Sequence, residues 1–118
     1  MNNNKYQRGK IYSIQAPGIP EVYIGSTTEP TLARRMAGHW TSMAKYRRGT
    51  SSYYTSFRIL ESPDAFIQLI ESFPCNSKDN LLAREQHFIN ITANVVNKQK
   101  AFTGLTPEEY HKQYNIQY

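Results

Sequence analysis

The chain has 118 residues, which suits one compact domain and leaves little room for a second. It has no apolar run long enough to span a membrane, and its N-terminus lacks the apolar segment of a signal peptide. Cys75 is the only cysteine, so an internal disulfide and a cysteine-based zinc site are both excluded. These features predict a cytoplasmic protein that does not associate with membranes.

Charge is unevenly distributed along the chain. There are 14 basic and 9 acidic residues, a net charge of +5, and no Asp or Glu occurs between residues 30 and 60. A patch of one sign attracts polyanions, of which nucleic acid is the commonest. The same pattern also fits a solvated helix surface whose counter-charges lie elsewhere. The basic residues of this stretch are Arg34, Arg35, Lys45, Arg47, Arg48 and Arg58.

Two strands joined by a short loop are predicted near the N-terminus. Residues 1–8 are expected to be flexible, and Lys10–Gln15 alternates as a strand. A Pro and Gly cluster separates it from a second strand, Glu21–Gly25. The pattern favours an antiparallel hairpin, which would bring Tyr12 close to Tyr23 in a suitable register.

A helix follows the second strand. Thr28 is predicted as its N-cap, Pro30 would lie in its first turn, and the helix would run over Thr31–Lys45. Its buried face is predicted from apolar residues at helical spacing: Leu32, Met36, Trp40 and Met43.

The next part of the chain predicts a short helix, a strand and a longer helix. The short helix lies within Tyr53–Leu60, and the dense apolar content of Phe66–Phe73 predicts a third strand in the middle of the sheet. Asn76 or Ser77 would cap the longer helix, which ends near Asn90.

A capping box with Pro at the first helical position, Thr106–Glu109, predicts a final helix that ends near Tyr114. Together these elements predict an α+β domain with a small three-stranded sheet, mixed or antiparallel, flanked by helices. The folded domain would span residues 9–98. Residues 99–118 would form a link and the final helix.

Glu85 is the most unusual residue of the longer helix. Helical spacing places it near the middle of an apolar face formed by Leu81, Leu82, Phe88 and Ile89. Burying a carboxylate costs on the order of several kcal/mol unless charge or hydrogen bonds offset the cost. It could therefore pair with an arginine, accept a hydrogen bond from a tyrosine, or bind Mg²⁺, which often uses only one or two carboxylates on phosphate substrates.

Two basic residues of the first helix have different predicted environments. Arg34 points away from the buried face, whereas Arg35 lies on its flank with His39 one turn later. Arg35 is therefore the better candidate for a bidentate phosphate contact in a cleft. Tyr12 and Tyr23 are either core residues or proton acceptors whose pKa nearby positive charge lowers from about 10.

The order of these motifs resembles that of the GIY-YIG nuclease family, which is named for tripeptides on two neighbouring strands. Ile11-Tyr12 follows Lys10, which stands where the family has Gly, and Tyr23-Ile24-Gly25 is intact. Arg35 and His39, Glu85 within a Leu-Leu-Ala-Arg-Glu-Gln-His-Phe-Ile run, and Asn97 after two valines come next. The resemblance covers about residues 9–98 and is to the compact domains of phage and large-virus proteins and of homing endonucleases.

The family cuts DNA phosphodiester bonds with one divalent metal, Mg²⁺ or Mn²⁺. The resemblance implies that Glu85 holds this metal. Tyr12 would be the general base or would orient the attacking water, and Tyr23 would support the water and the phosphate by hydrogen bonding.

The resemblance assigns three further residues to the site. Arg35 would neutralise the scissile phosphate, and His39 would assist near the phosphate or leaving group. Asn97 would position the other site residues without contacting the substrate itself. Basic side chains would hold the backbone of duplex DNA: Lys10, Arg34, Lys45, Arg47, Arg48 and Arg58. Arg34 is also the alternative to Arg35.

The sequence thus predicts a metal-dependent DNA endonuclease with little sequence specificity of its own. Cutting both strands would need two successive nicks or a transient homodimer on DNA. The alternative is a catalytically inactive nucleic-acid-binding module with the same fold.

Overall fold

A computed structural model describes residues 4–96 of the chain. Its elements follow the predicted order β-β-α-α-β-α. No helix within the described residues is long and apolar enough to cross a membrane. The elements are β1 (Lys10–Ala16), β2 (Ile19–Thr27), α1 (Leu32–Arg47), α2 (Phe57–Leu60), β3 (Phe66–Ser72) and α3 (Lys78–Ile91).

The sheet has three strands in the order β2-β1-β3, and β1 pairs antiparallel with both neighbours. The predicted α+β class is confirmed, in its antiparallel form. The first hairpin is tighter than predicted, since β2 begins at Ile19 and only Pro17 and Gly18 separate it from β1. Gly18 has φ +80°, a left-handed conformation that glycine adopts without a steric cost.

The prediction that the third strand lies in the middle of the sheet is wrong. β3 is an edge strand, and β1 is central. Phe66, Leu69 and Ile70 of β3 are 46%, 48% and 36% exposed, whereas Ile11 and Ile14 of β1 are fully buried. A run of apolar residues therefore did not distinguish a central strand from an edge strand here.

Helix α1 begins later than predicted. Thr31, not Thr28, is its N-cap, and the Thr31 side chain accepts a hydrogen bond from the Arg34 backbone amide at 3.2 Å. Pro30 precedes this cap, where its restricted backbone suits the extended entry to the helix. The predicted apolar face is confirmed, because Met36 and Met43 are buried and Leu32 and Trp40 pack against the same core.

Helix α3 is capped by Ser77, one of the two predicted residues. Arg84 on α3 donates two hydrogen bonds to Glu71 of β3, at 2.6 and 2.8 Å. The Arg84 guanidinium also lies over the rings of Phe73 and Phe88. These contacts tie α3 to the sheet edge and so fix the position of its other residues.

The two faces of the sheet are covered by two separate apolar clusters. Tyr12 and Ile14 of β1 face one cluster, which includes the buried residues of α1 and α2. Ile11 and Ile24 face the other, which includes Leu81 and Ile89 of α3. Because each fully buried aliphatic side chain contributes about 1.5–3 kcal/mol, β1 is held from both sides.

The N-terminal segment is more ordered than predicted. Residues 1–8 are expected from sequence to be flexible, but Lys5–Arg8 form a 3-10 helix. Gln7 donates to the Cys75 carbonyl at 2.8 Å, and Asn4 donates to the Asn76 carbonyl at 2.9 Å. Polar composition did not reveal these contacts, which join residues about seventy positions apart in the chain. The predicted final helix lies outside the described residues.

Candidate active site

The hairpin register brings the two predicted tyrosines together. Tyr12 pairs with Gly25, and Ile14 pairs with Tyr23, so the two phenols project from the same face of the hairpin. Their ring centroids are 6.2 Å apart. Tyr12 is fully buried and packs in the cluster beneath α1.

Gly25 makes the space that Tyr12 occupies. A methyl group at Gly25 would lie 2.6 Å from Cζ of Tyr12 and 2.8 Å from Cε2 of Tyr23. Both distances are too short for carbon atoms, and a buried ring on a central strand cannot move aside cheaply. The last residue of the Tyr23-Ile24-Gly25 motif therefore has a steric role.

Helix α1 supplies the two polar partners of Tyr12. Arg35 donates from Nε to the Tyr12 hydroxyl at 3.0 Å, and the same hydroxyl lies 2.7 Å from Nε2 of His39. The i, i+4 spacing places both side chains on one side of the helix, as predicted. Arg34 is 70% exposed and pairs with Glu29 at 3.6 Å, away from this cluster.

Ser56 is a further member of the cluster, and sequence reasoning missed it. It lies immediately before α2, is fully buried, and its Oγ is 3.0 Å from Nδ1 of His39. No motif marks this serine, because its contact with His39 depends on how α2 packs against α1. The contact fixes the orientation of the imidazole ring.

One assignment of the protons satisfies every partner in this network. The Tyr12 oxygen accepts from Arg35, which can only donate, and Tyr23 lies within hydrogen-bonding reach of the same oxygen. The Tyr12 hydrogen is then left to donate to Nε2 of His39. A neutral His39 in this tautomer donates from Nδ1 to Ser56, and every partner is satisfied.

Burial controls the protonation of these groups. Desolvation and, to a smaller extent, the Arg35 charge lower the pKa of His39 to about 4, so the imidazole is neutral near pH 7. Desolvation raises the pKa of Tyr12 and of Tyr23 despite the neighbouring Arg35. The Arg35 charge does lower the pKa of both tyrosines, as predicted, but the cost of burying a phenolate is larger, so the net shift is upward.

Glu85 approaches the cluster from α3, on the opposite side of β2. Its carboxylate accepts a hydrogen bond from the Ser26 hydroxyl at 2.6 Å, and desolvation raises its pKa. Ser26 and Arg35 line one groove, and the Glu85 charge raises the pKa of Tyr12 and of Tyr23 less than burial does. Of the four apolar residues predicted around Glu85, Leu81 and Ile89 are buried and Phe88 packs against the same cluster, whereas Leu82 is 42% exposed.

The surroundings of Glu85 fit a single divalent cation. Within residues 4–96 this carboxylate is in no ion pair, unlike Glu71, and a hydrogen bond to Ser26 offsets its burial only in part. The same residues contain no group of three His, Cys, Asp or Glu side chains able to hold a metal. One carboxylate with water and substrate oxygens is a ligand set that Mg²⁺ accepts.

A groove of about 390 Å³ runs along the outer side of Arg35 and Ser26. Lys5 of the 3-10 helix and Lys78 at the start of α3 both line it. Sequence reasoning did not identify these lysines, which come from segments distant in the chain. They add positive charge beside the cluster, on the side away from the end of α1.

The predicted nucleic-acid-binding residues divide into two sets. Lys10 donates to the backbone carbonyls of Arg8 and Glu29, and Arg58 is paired with the carboxylates of Glu21 and Glu61. The exposed set lies at the C-terminal end of α1: Lys45, Arg47 and Arg48. Asn97 lies outside the described residues, so its predicted place in the site stays a prediction.

An α+β domain whose hairpin tyrosines meet an arginine and a histidine from the next helix, with a glutamate opposite, has a nuclease-type fold. The family model described as the GIY-YIG catalytic domain matches residues 8–108, most of the chain. The chain therefore belongs to the GIY-YIG family. Searches of curated proteins and of solved structures found no match.

Proposed function

We propose that this protein is a divalent-metal-dependent DNA endonuclease with little sequence specificity of its own. The observation that carries the proposal is the Tyr12 hydroxyl, held between Arg35 at 3.0 Å and His39 at 2.7 Å, with Glu85 hydrogen-bonded to Ser26 of the groove that Arg35 also lines. A purely structural tyrosine needs one hydrogen-bond partner, and a module that only binds DNA has no need of this buried polar network.

Glu85 is the residue that would hold the cation, Mg²⁺ or Mn²⁺. When bound, the cation would polarise a phosphoryl oxygen and stabilise charge on the leaving 3′ oxygen. Ser26 orients the Glu85 carboxylate through its 2.6 Å hydrogen bond. Arg35 uses only Nε in its hydrogen bonds to residues 4–96, so both Nη groups can donate to the scissile phosphate.

Proton transfer would pass through Tyr12 to His39. As water attacks the phosphorus, it would replace Tyr23 as a hydrogen-bond donor to the Tyr12 oxygen and pass its proton to that oxygen, while the Tyr12 hydroxyl releases its own proton to Nε2 of His39. This order avoids a free phenolate, which burial disfavours. A phosphate bound beside Arg35 adds negative charge, which raises the pKa of His39 and favours the transfer.

Binding would be dominated by contacts to the phosphate backbone of duplex DNA. The groove lysines, Lys5 and Lys78, lie on one side of the cluster, and the exposed basic end of α1 lies on the other. Such contacts supply affinity that depends on salt and hardly on sequence. Cleavage of both strands would proceed by successive nicks or by a transient homodimer.

Nicking of supercoiled plasmid in Mg²⁺ tests the proposal. Glu85→Gln keeps the size and hydrogen bonding of the side chain but removes its charge. We expect at least about 100-fold slower nicking with DNA affinity retained, because transition-state charge loses its stabilisation. Asp64→Asn, a neutralised carboxylate exposed in the loop before β3, should nick at the wild-type rate.

Mn²⁺ binding in the presence of an oligonucleotide supplies a second readout, since only the wild type should retain the ion. Equal nicking by Glu85→Gln and the wild type would disprove the metal role. A wild type that binds DNA tightly and never nicks it would support the inactive module instead.

A further inference from the structure

Three tyrosines form an exposed aromatic surface at the far end of α1. Tyr46, Tyr53 and Tyr54 are 41%, 46% and 53% exposed. Each contacts the ring of Phe57, with centroids 5.4 to 5.6 Å apart, and Phe57 itself is buried. We call the three exposed residues the tyrosine platform. Phe57 anchors it to the core.

The platform brings three large aromatic side chains together at the surface. Large apolar surfaces that are exposed together mark binding sites. Here Tyr46 and Tyr53 pack edge to face, and Tyr54 packs edge to face on Phe57. Within residues 4–96 the hydroxyls of Tyr46, Tyr53 and Tyr54 make no hydrogen bond to the protein. Their rings are therefore fixed in place while their outer faces and hydroxyls stay open.

The charges around the platform select a polyanion. Lys45, Arg47 and Arg48 are its exposed neighbours on α1 and the following turn. Glu21, which lines a cavity together with Tyr53, is paired with Arg58, and so is Glu61. Lys45, Arg47 and Arg48 form no ion pair with a carboxylate of residues 4–96. Exposed aromatic rings beside positive charge are the chemistry that binds unpaired nucleotides, with bases stacked on rings and phosphates on cations.

The platform lies in line with the candidate active site. Tyr46 follows His39 by seven residues on α1, which is almost two full turns and about 10 Å along the helix axis. The two residues therefore project from nearly the same side of α1, and Arg35 continues the row in the other direction. A strand whose phosphate lies at Arg35 would reach the platform within a few nucleotides.

Residues 97–118 match this surface less well than nucleic acid does. Residues 97–118 contain Lys98, Lys100 and Lys112 against Glu108 and Glu109, so they carry no excess of negative charge to match the basic surroundings. Nucleic acid matches both the charge and the aromatic rings.

We propose that the tyrosine platform stacks on unpaired bases of the DNA substrate, so that branched, flapped or single-stranded DNA is preferred over uninterrupted duplex. The proposal rests on the proposed function in taking DNA as the substrate. It adds a second binding site, about 16 Å along α1 from Arg35, that recognises unpaired nucleotides. In duplex DNA the bases are already stacked on each other and cannot use these rings.

Binding without metal separates this proposal from the nuclease proposal. The affinities of the full chain for a single-stranded oligonucleotide and for a duplex of equal length are measured by fluorescence anisotropy. The test variant is Tyr53→Leu with Tyr54→Leu, which keeps apolar bulk and removes the rings. The matched control, Tyr53→Phe with Tyr54→Phe, keeps the rings and removes the hydroxyls.

We expect the leucine variant to lose at least about 10-fold in affinity for the single strand and less than about 2-fold for the duplex, while the phenylalanine variant stays within about 2-fold for both. Equal losses for both DNAs, or none, overturn the platform even if the wild type cleaves DNA. Equal behaviour of the two variants also overturns it. If the leucine variant lowers the melting temperature and leaves both affinities unchanged, the tyrosines serve only to pack against Phe57 and the proposal fails.

Cleavage then reports separately on the nuclease proposal. If the wild type prefers single-stranded DNA through these tyrosines but never cuts it, the platform proposal stands and the nuclease proposal fails.

Discussion

His39 is the residue whose environment departs most from what its position on a helix suggests. It is almost fully buried beside an arginine, with a hydrogen bond at each ring nitrogen. A buried imidazole next to a guanidinium is held neutral, since a second positive charge there would be both desolvated and repelled. The neutral form is also the one that can accept a proton from Tyr12.

This arrangement makes stability depend on pH. The pKa of His39 falls from 6.5 in the unfolded chain to about 4 in the folded one, so the unfolded state binds more protons between these values. The His39 contribution is fully present above about pH 6.5 and is lost as the pH falls toward 4. Relative to His39→Gln, the wild type should lose up to about 3 kcal/mol of unfolding free energy across this window.

Urea unfolding at a series of pH values measures this difference. His87→Gln makes the same change at an exposed position of α3 and should give a curve parallel to that of the wild type. Parallel curves for His39→Gln and the wild type would mean that His39 is not buried in a neutral form.

At the scale of elements, strand β2 and helix α1 each contain a glycine, and the structure gives them opposite roles. Gly25 on β2 faces the Tyr12 ring, whereas a methyl group at Gly38 on α1 would meet only Nη1 of Arg35, at 3.6 Å. Gly25→Ala should therefore destabilise the fold by about 1–3 kcal/mol through overpacking. Gly38→Ala should stabilise it by up to about 1 kcal/mol, because alanine has the higher helix propensity.

Chemical denaturation of the two variants tests this pair directly. The methyl group of Gly25→Ala should also displace Tyr12. The nicking rate should therefore fall even at temperatures where the variant is fully folded. A Gly25→Ala variant as stable as Gly38→Ala would show that β2 and β1 are further apart than the structure places them.

Elements also show how far sequence reasoning reaches. Periodicity predicted that Arg35 and His39 lie on one side of α1 and that Tyr12 lies close to Tyr23 across the hairpin. Both relations depend only on the geometry of one helix or of two neighbouring strands. Periodicity failed for β3, where an apolar run did not show which strand was central. It also missed Ser56 and Lys78, whose roles arise only when segments distant in the chain are packed together.

At the scale of the whole molecule, the net charge of +5 is concentrated where few carboxylates oppose it. DNA binding should weaken linearly on a plot of log affinity against log salt concentration. Arg47→Gln with Arg48→Gln should reduce the slope by about 2, because each exposed arginine that contacts a phosphate contributes about 1.

Arg58→Gln is the contrast for this measurement. Its guanidinium is already occupied by Glu21 and Glu61, so the slope should change little. If Arg58→Gln reduces the salt slope more than the double variant does, the DNA contacts Arg58 and not the exposed end of α1.

One peptide bond joins two regions of this molecule that have separate tasks. Ser56, which orients the imidazole, is followed directly by Phe57, which supports the three tyrosines. If a DNA strand binds to those rings and shifts Phe57, the shift would be passed to Ser56, and so to the His39 imidazole, through one peptide bond. Substrate choice and turnover would then be hard to alter independently, and replacing this short helix to change the preferred DNA would slow the reaction as well.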